Sequence, residues 1–202
     1  IQSRIAQLLQ RIAPPDYLFA PVKGRSYVDN AKLHVGASSI RLLDLDDFFP
    51  NCSSNKISWF FGKKMKCPPD VTAILRALVC YNDALPQGSP CSPILAYLSY
   101  EDMWDKVYSL VNDEGAQLSI YADDITISGD TVPERMVWEV KRTLYKHGHS
   151  ISKDKERSAR LKPTEITGVI VGNGTLKPPN RSLEQLSIIK RALTKSKDLV
   201  ER

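Results

Sequence analysis

The chain has 202 residues, of which 42% are hydrophobic and 25% charged, and a formal net charge of +5. These values suit a globular protein with a full core, built as one domain or two tightly joined subdomains, and the basic balance favours a polyanionic partner. No apolar run approaches membrane-spanning length and no secretory signal pattern is present, so no membrane partner is expected.

Ile1, Ile5, Leu8, Leu9 and Ile12 recur at helical spacing and predict a helix over 1–12. The first residue is not Met and already lies inside this pattern, so the sequence reads as an excerpt of a longer protein. Pro14, Pro15, Pro21 and Gly24 mark an irregular stretch. The apolar run from Ile40 to Leu45 predicts a strand near 39–45 that ends in Asp44-Leu45-Asp46-Asp47-Phe48-Phe49-Pro50. Helices are predicted at 53–62, at 69–82, where Pro69 suits a first turn and Asp70 the helix dipole, and at about 91–112. Leu118 and Ile120, then Ile125 and Ile127, alternate around Tyr121-Ala122-Asp123-Asp124, which predicts a hairpin over about 117–128. Pro133 opens a helix to about 147. Strands follow near 149–152 and over 165–178, the second a hairpin about Gly172-Asn173-Gly174, because Asn-Gly is a strong turn signal. A basic amphipathic helix over 181–199 would turn Leu183, Leu186, Ile189 and Leu193 inward. The sum is an α+β layout, a small antiparallel sheet covered by helices.

Asp123 and Asp124 at the hairpin tip repel each other, and no basic residue stands nearby in sequence. A solvated Asp-Asp turn is the bland reading, and a divalent cation site the functional one. The strand ending at Asp44 could lie beside the hairpin and bring Asp44 to Asp123. Two strands delivering carboxylates to one point make a hard-oxygen site suited to two Mg²⁺ ions, with Mn²⁺ as a substitute, and such a pair supports in-line phosphoryl transfer. The four cysteines lack zinc-ligand spacing and read as reduced thiols of a cytosolic protein. His147 and His149 flank a glycine and read as a surface loop. Basic residues cluster at Lys63, Lys64 and Lys66, at Lys153, Lys155, Arg157, Arg160 and Lys162, and at Arg181, Lys190, Arg191, Lys195 and Lys197. Each cluster alone reads as a solvated face; three beside a carboxylate site suggest a nucleic-acid track.

Between the acidic strands lies Leu85-Pro86-Gln87-Gly88-Ser89-Pro90-Cys91-Ser92-Pro93. Gly88 lets the backbone approach a ligand, Gln87 can bond a base or sugar, and the plain alternative is a turn with Ser92 capping a helix. The order of the Asp strand, this segment and the Tyr-Ala-Asp-Asp hairpin resembles that of reverse transcriptases. Residues 43–50 look like the family's motif A, 85–93 like motif B, 121–124 like motif C, 148–157 like motif D and 165–175 like motif E. Two elements resemble the retron type: Asn30-Ala31-Lys32-Leu33-His34, and Ile166-Thr167-Gly168, where Ile166 replaces the usual Val.

The resemblance covers nearly the whole chain and implies a reverse-transcriptase palm with partial fingers over 1–202, ending near the start of the thumb. It implies Asp44, Asp123, Asp124 and the Leu45 carbonyl as metal ligands, with Lys155 protonating the departing pyrophosphate. It implies Phe49 as a sugar gate, Gln87 and Gly88 about the incoming dNTP, and Asn30, His34, Thr167 and Gly168 as RNA-recognition residues. For Asn30 and His34, bracing of the loop into motif A is the structural alternative. The retron likeness further implies a structured noncoding RNA as template and primer, priming from a guanosine 2′-OH, and a branched RNA-linked DNA product (msDNA). It also implies an effector protein, anti-phage defence and a bacterial cytoplasmic location. Other bacterial reverse transcriptases, of group II intron, diversity-generating or abortive-infection type, and a non-catalytic RNA-binding scaffold are the alternatives.

Overall fold

The structure, a computed structural model, describes residues 1–172 and 174–200, for 194–200 without their side chains. From the N-terminus run α1 (Gln2–Leu9), β1 (Leu18–Ala20), α2 (Tyr27–Lys32) and β2 (Ser39–Asp46). Next come α3 (Ser54–Trp59), a π-helical turn (Phe60–Lys64), α4 (Pro69–Val79), α5 (Ser92–Leu98) and α6 (Glu101–Asn112). Then follow β3 (Gln117–Tyr121), β4 (Asp124–Gly129), α7 (Glu134–Lys146), β5 (Ser150–Ile151) and β6 (Arg157–Arg160). The chain continues through β7 (Thr164–Ile166), β8 (Val169–Gly172), β9 (Thr175–Lys177) and α8 (Asn180–Val200).

The main sheet has the order β1-β3-β4-β2-β5, with β6 also pairing β2. Strands β3 and β4 form the predicted hairpin, and β4 runs antiparallel to β2 from Ser39↔Gly129 to Asp44↔Asp124. Strand β1 pairs β3 in parallel, so the sheet is not wholly antiparallel. Because side chains alternate across a strand, this register gives the sheet two unlike faces. Leu43, Leu45, Leu118, Ile120, Ile125 and Ile127 point to one, all of them buried in the main core with Met103, Trp104 and Val107 of α6 and Met136, Val140 and Leu144 of α7. Each such side chain contributes on the order of 2 kcal/mol over its exposed state. Asp44, Ser119, Asp124, Thr126 and Ser128 share the other face with Ile40 and Leu42. A second, smaller core forms there: Ala31, Ile40, Ile166, Val169 and Val171 bind α2 and the β7-β8-β9 sheet to the back of β2.

Several local expectations change. Residues 27–32, placed in an irregular stretch, are helical because Ser26 and Asp29 close a capping box, with Ser26 Oγ accepting from the Asp29 amide at 3.1 Å and the Asp29 carboxylate accepting from the Ser26 amide at 2.8 Å. The helix predicted over 91–112 breaks at Ser99-Tyr100, where the Tyr100 hydroxyl donates to the Asn51 carbonyl and accepts from the Ser53 amide. The region predicted as one hairpin over 165–178 is a three-stranded sheet, and its predicted turn residue Asn173 lies outside the described residues. The apolar stripe of α8 faces outward: Leu183, Leu186, Ile189 and Leu193 are 49–58% exposed, so the helical period marks a face suited to burial that stays at the surface. His149 is not on a surface loop but 1% exposed, edge-on to Tyr100 and packed on Phe48. The four cysteines are free.

His34 and His149 are both enclosed, and burial pushes each down to about 4. A folded-state value below the unfolded 6.5 means that the unfolded chain binds the proton first as pH falls. Stability is therefore complete above about pH 6.5 and is lost as pH falls towards 4, by about 2 kcal/mol per histidine at pH 5. Urea midpoints measured from pH 8 to 5 should decline below about pH 7, and His34→Gln should make that decline markedly shallower.

Candidate active site

Motif residues from three strands and one turn meet where the polar face of the sheet is left uncovered. Asp44 stands directly opposite Asp124, and the Leu45 amide donates to the Asp123 carbonyl at 3.0 Å. The Asp44 carbonyl turns the other way, to the Ser152 amide at 2.9 Å, so the backbone groups of Leu45 point towards the hairpin tip. At that tip Ala122 has φ +57°, a conformation L-residues rarely adopt, which reverses the chain in two residues and leaves Asp123 at the apex. Lys155, in the turn after β5, donates to Asp44 Oδ1 at 2.9 Å.

The three carboxylates are crowded. Burial first, then Asp123 and Asp44, push Asp124 up to about 6; burial first and then Asp44 also raise Asp123. The Lys155 ammonium is held protonated above its ordinary value by the same cluster, chiefly by its bond to Asp44. Among the described residues no three His, Cys, Asp or Glu side chains are gathered closely enough to enclose a metal ion. The donor set nevertheless fits one: hard oxygens whose mutual repulsion is only partly relieved, by the Lys155 ammonium at Asp44.

A cleft runs from Asp44 and Asp124, past Lys155 and Arg157, to Glu165 and the Thr167-Gly168 turn. The sequence assigns no role to Arg157 or Glu165, although Arg157 falls in a basic cluster and at the end of the motif D segment and Glu165 opens the motif E segment. Gln87, Gly88 and Phe49 do not line this cleft. Gln87 and Gly88 are exposed on the loop before α5, where Gly88 takes φ +86° and an added Cβ would meet nothing within 4 Å. Ser92 does not cap α5; its hydroxyl ties the loop by donating to the Pro86 carbonyl at 2.7 Å. Of the adjacent phenylalanines, Phe48 is buried against Trp104, whereas Phe49 is half-buried with its ring 5.4 Å from that of Phe48.

The RNA-contact expectation for Asn30 and His34 is corrected by their burial, at 0% and 1% exposed. His34 is clamped between two buried serines, its ring nitrogens each 2.7 Å from Ser119 Oγ and Ser128 Oγ. Asn30 donates to Thr167 Oγ1 at 3.2 Å, and that hydroxyl donates to the Tyr27 carbonyl at 3.0 Å. Thr167 has φ +44°, a strained setting for a β-branched residue, and these two bonds hold it there beside Gly168 at φ +84°. The two retron-like elements therefore meet, and their shared role is to brace the turn at the cleft edge. Thr167 and Gly168 are half-buried and remain on the cleft wall.

Comparisons with known proteins agree with this geometry. The family model for reverse transcriptase (RNA-dependent DNA polymerase) matches residues 1–171. The retron Se72 reverse transcriptase of Salmonella heidelberg is 29% identical over 190 residues, 88% of this chain and 49% of that protein. The retron Ec86 reverse transcriptase of Escherichia coli is 30% identical over 128 residues, 63% of this chain and 40% of that protein. A solved structure of apo telomerase from Candida tropicalis superposes with a TM-score of 0.65 at 10% identity, over 88% of this chain and 45% of that one, a likeness of fold. The chain belongs to the reverse transcriptase family, and its resemblance within that family is to the retron type. It spans about half the length of the curated relatives it matches.

Asn30→Ala should lower the unfolding free energy by about 1–3 kcal/mol, because it leaves the Thr167 turn without its buried donor. Extension on any primer–template should fall in parallel with that loss. A deficit confined to one RNA, with stability unchanged, would restore the recognition role.

Proposed function

We propose that this chain carries the polymerising centre of an RNA-directed DNA polymerase that copies a structured noncoding RNA of a retron into msDNA. The observation that supports it best is the juxtaposition of Asp44 with Asp124 across β2 and β4, with Asp123 at the strained tip beside them. Asp44, Asp123, Asp124 and the Leu45 carbonyl would hold two Mg²⁺ ions, or Mn²⁺, which when bound supply charge neutralisation for phosphoryl transfer. Lys155 must leave Asp44 for that site to load, and its short tether to the turn keeps the ammonium within the site as a proton donor to the leaving pyrophosphate. The cleft towards Thr167 and Gly168 would accept the primer end, here an RNA whose guanosine 2′-OH starts the DNA. Gln87 and Gly88, on their exposed loop, would approach the template and incoming dNTP. Phe49, braced from behind by Phe48, would meet the sugar and exclude a 2′-OH. An effector protein and a part in anti-phage defence within a bacterial cytoplasm complete the reading, from the retron relatives.

Primer extension with Mg²⁺ tests the centre. Asp123→Asn keeps the shape of the tip and removes one charge, so synthesis should fall by several orders of magnitude while the fold and RNA affinity persist. Extension at a near wild-type rate would overturn the assignment. A second measurement compares dNTP with rNTP incorporation in Phe49→Val. The ratio should shift strongly towards ribonucleotides; an unchanged ratio would make Phe49 a core residue only.

A further inference from the structure

The outer face of α7 carries an arrangement that the polymerase centre does not use. Met136, Val137, Val140, Thr143 and Leu144 bury the inner face. Arg135, Trp138, Arg142, Tyr145 and Lys146 are exposed on the outer one. Trp138 and Tyr145 are 57% and 51% exposed. They are seven positions apart, so they lie two turns apart on one stripe, about 10 Å along the helix. Between them the Arg142 guanidinium lies over the Trp138 ring, 4.9 Å from its centroid, and is steadied by Glu139 at 2.8 Å. Among the described residues neither Arg135 nor Lys146 has a carboxylate partner, and the exposed Glu134 is engaged by Arg41.

Leaving two large rings in water is unfavourable, and a stripe meant only to be solvated would not hold them. An apolar partner would suit the rings, yet it would have to desolvate three cations set among them. A strand of unpaired nucleotides satisfies both: bases stack on rings and guanidinium planes, and phosphates meet the cations. The two rings are spaced for bases separated by two or three nucleotide steps, and the Arg142 guanidinium lies beside one of them. Because α7 packs on the apolar side of the sheet while Asp44 and Asp124 lie on the other, this stripe is a surface separate from the cleft.

We propose that the outer face of α7 is a docking stripe for single-stranded RNA, with Trp138 and Tyr145 as stacking platforms and Arg135, Arg142 and Lys146 as phosphate contacts. It deepens the reading of the chain as a polymerase on a structured RNA, by giving the unpaired part of that RNA a hold outside the cleft. The probe is a fluorescent 12-nucleotide oligoadenylate, titrated by anisotropy at fixed salt into the full chain with the Asp123→Asn change. That change removes synthesis from the readout, so failure of the polymerase reading leaves this measurement intact. Trp138→Ala and Tyr145→Ala should each weaken binding on the order of tenfold, and Trp138→Phe should restore most of it. Arg135→Gln with Lys146→Gln should flatten the salt dependence of binding. A 12-base-pair RNA duplex should be insensitive to the two aromatic substitutions, and photocrosslinked 4-thiouridine should map to residues 134–146. Unchanged oligoadenylate affinity in the two alanine variants, with their melting curves matching the parent, would overturn the proposal. So would sedimentation showing self-association that Trp138→Ala abolishes while RNA affinity is untouched, since the stripe would then be a contact between copies of the chain.

Discussion

Asp44 faces Asp124 in a register of β2 against the hairpin that the bond from the Leu45 amide to the Asp123 carbonyl continues to the tip. The same register sends Leu43, Leu45, Ile125 and Ile127 into the main core. Opposed like charges on neighbouring strands cost a few tenths to about 1 kcal/mol. Four buried aliphatic side chains contribute on the order of 2 kcal/mol each, so the core sets the register and the carboxylates are held together against their repulsion. A slip of one residue would expose all four. Charge accumulation at the site is thus a by-product of packing on the opposite face, and it creates an affinity for cations that Lys155 partly satisfies.

The polar face imposes a second requirement. A sheet with Ser119, Thr126 and Ser128 beside Asp44 and Asp124 cannot be covered by an ordinary apolar helix without stranding hydroxyls. α2 and the segment after it meet this with His34, whose two nitrogens engage two of those serines, and with Asn30, which reaches to Thr167. The cover stops short of Asp44, and the cleft is what remains. Burial, which favours the neutral imidazole, makes this cover sensitive to acid, while the exposed end of the same face stays accessible to a charged substrate.

The sequence made the sheet legible where alternation was strong. The hairpin at 117–128 and the strand before Asp44 were readable from period two, and the order of the acidic motifs identified the family. Residues 18–20 form a strand too short to display any period; it pairs with β3 in parallel and buries Leu18 in the main core. The capping box at Ser26 was visible but masked by the prolines and glycine before it. Asn30 and His34 stand out only through the retron resemblance, and of the two roles open to them, RNA contact and structural brace, their burial supports the brace; nothing local reveals that Ser119, Ser128 and Thr167 converge on them. The outward stripe of α8 shows the same limit from the other side, since periodicity describes a face without supplying the surface that covers it. Arg157 and Glu165 lie at the ends of the motif D and motif E segments, where the sequence assigns them no role, and Arg157 reaches the cleft through the pairing of β6 with β2.

The small core of Ala31, Ile40, Ile166, Val169 and Val171 is separate from the main one. It joins α2 to the β7-β8-β9 sheet, and the Asn30–Thr167 bond links the two directly. Segments that share a core and a buried polar contact open together, at a free energy below that of global unfolding. The amides of α2 and of β7 to β9 would therefore exchange with solvent as one group, ahead of those in β2 and β4. One wall of the cleft therefore rests on its own small core, apart from the strands that hold the charges, and a nucleic acid touching Thr167 and Gly168 would stabilise that wall without repacking those strands.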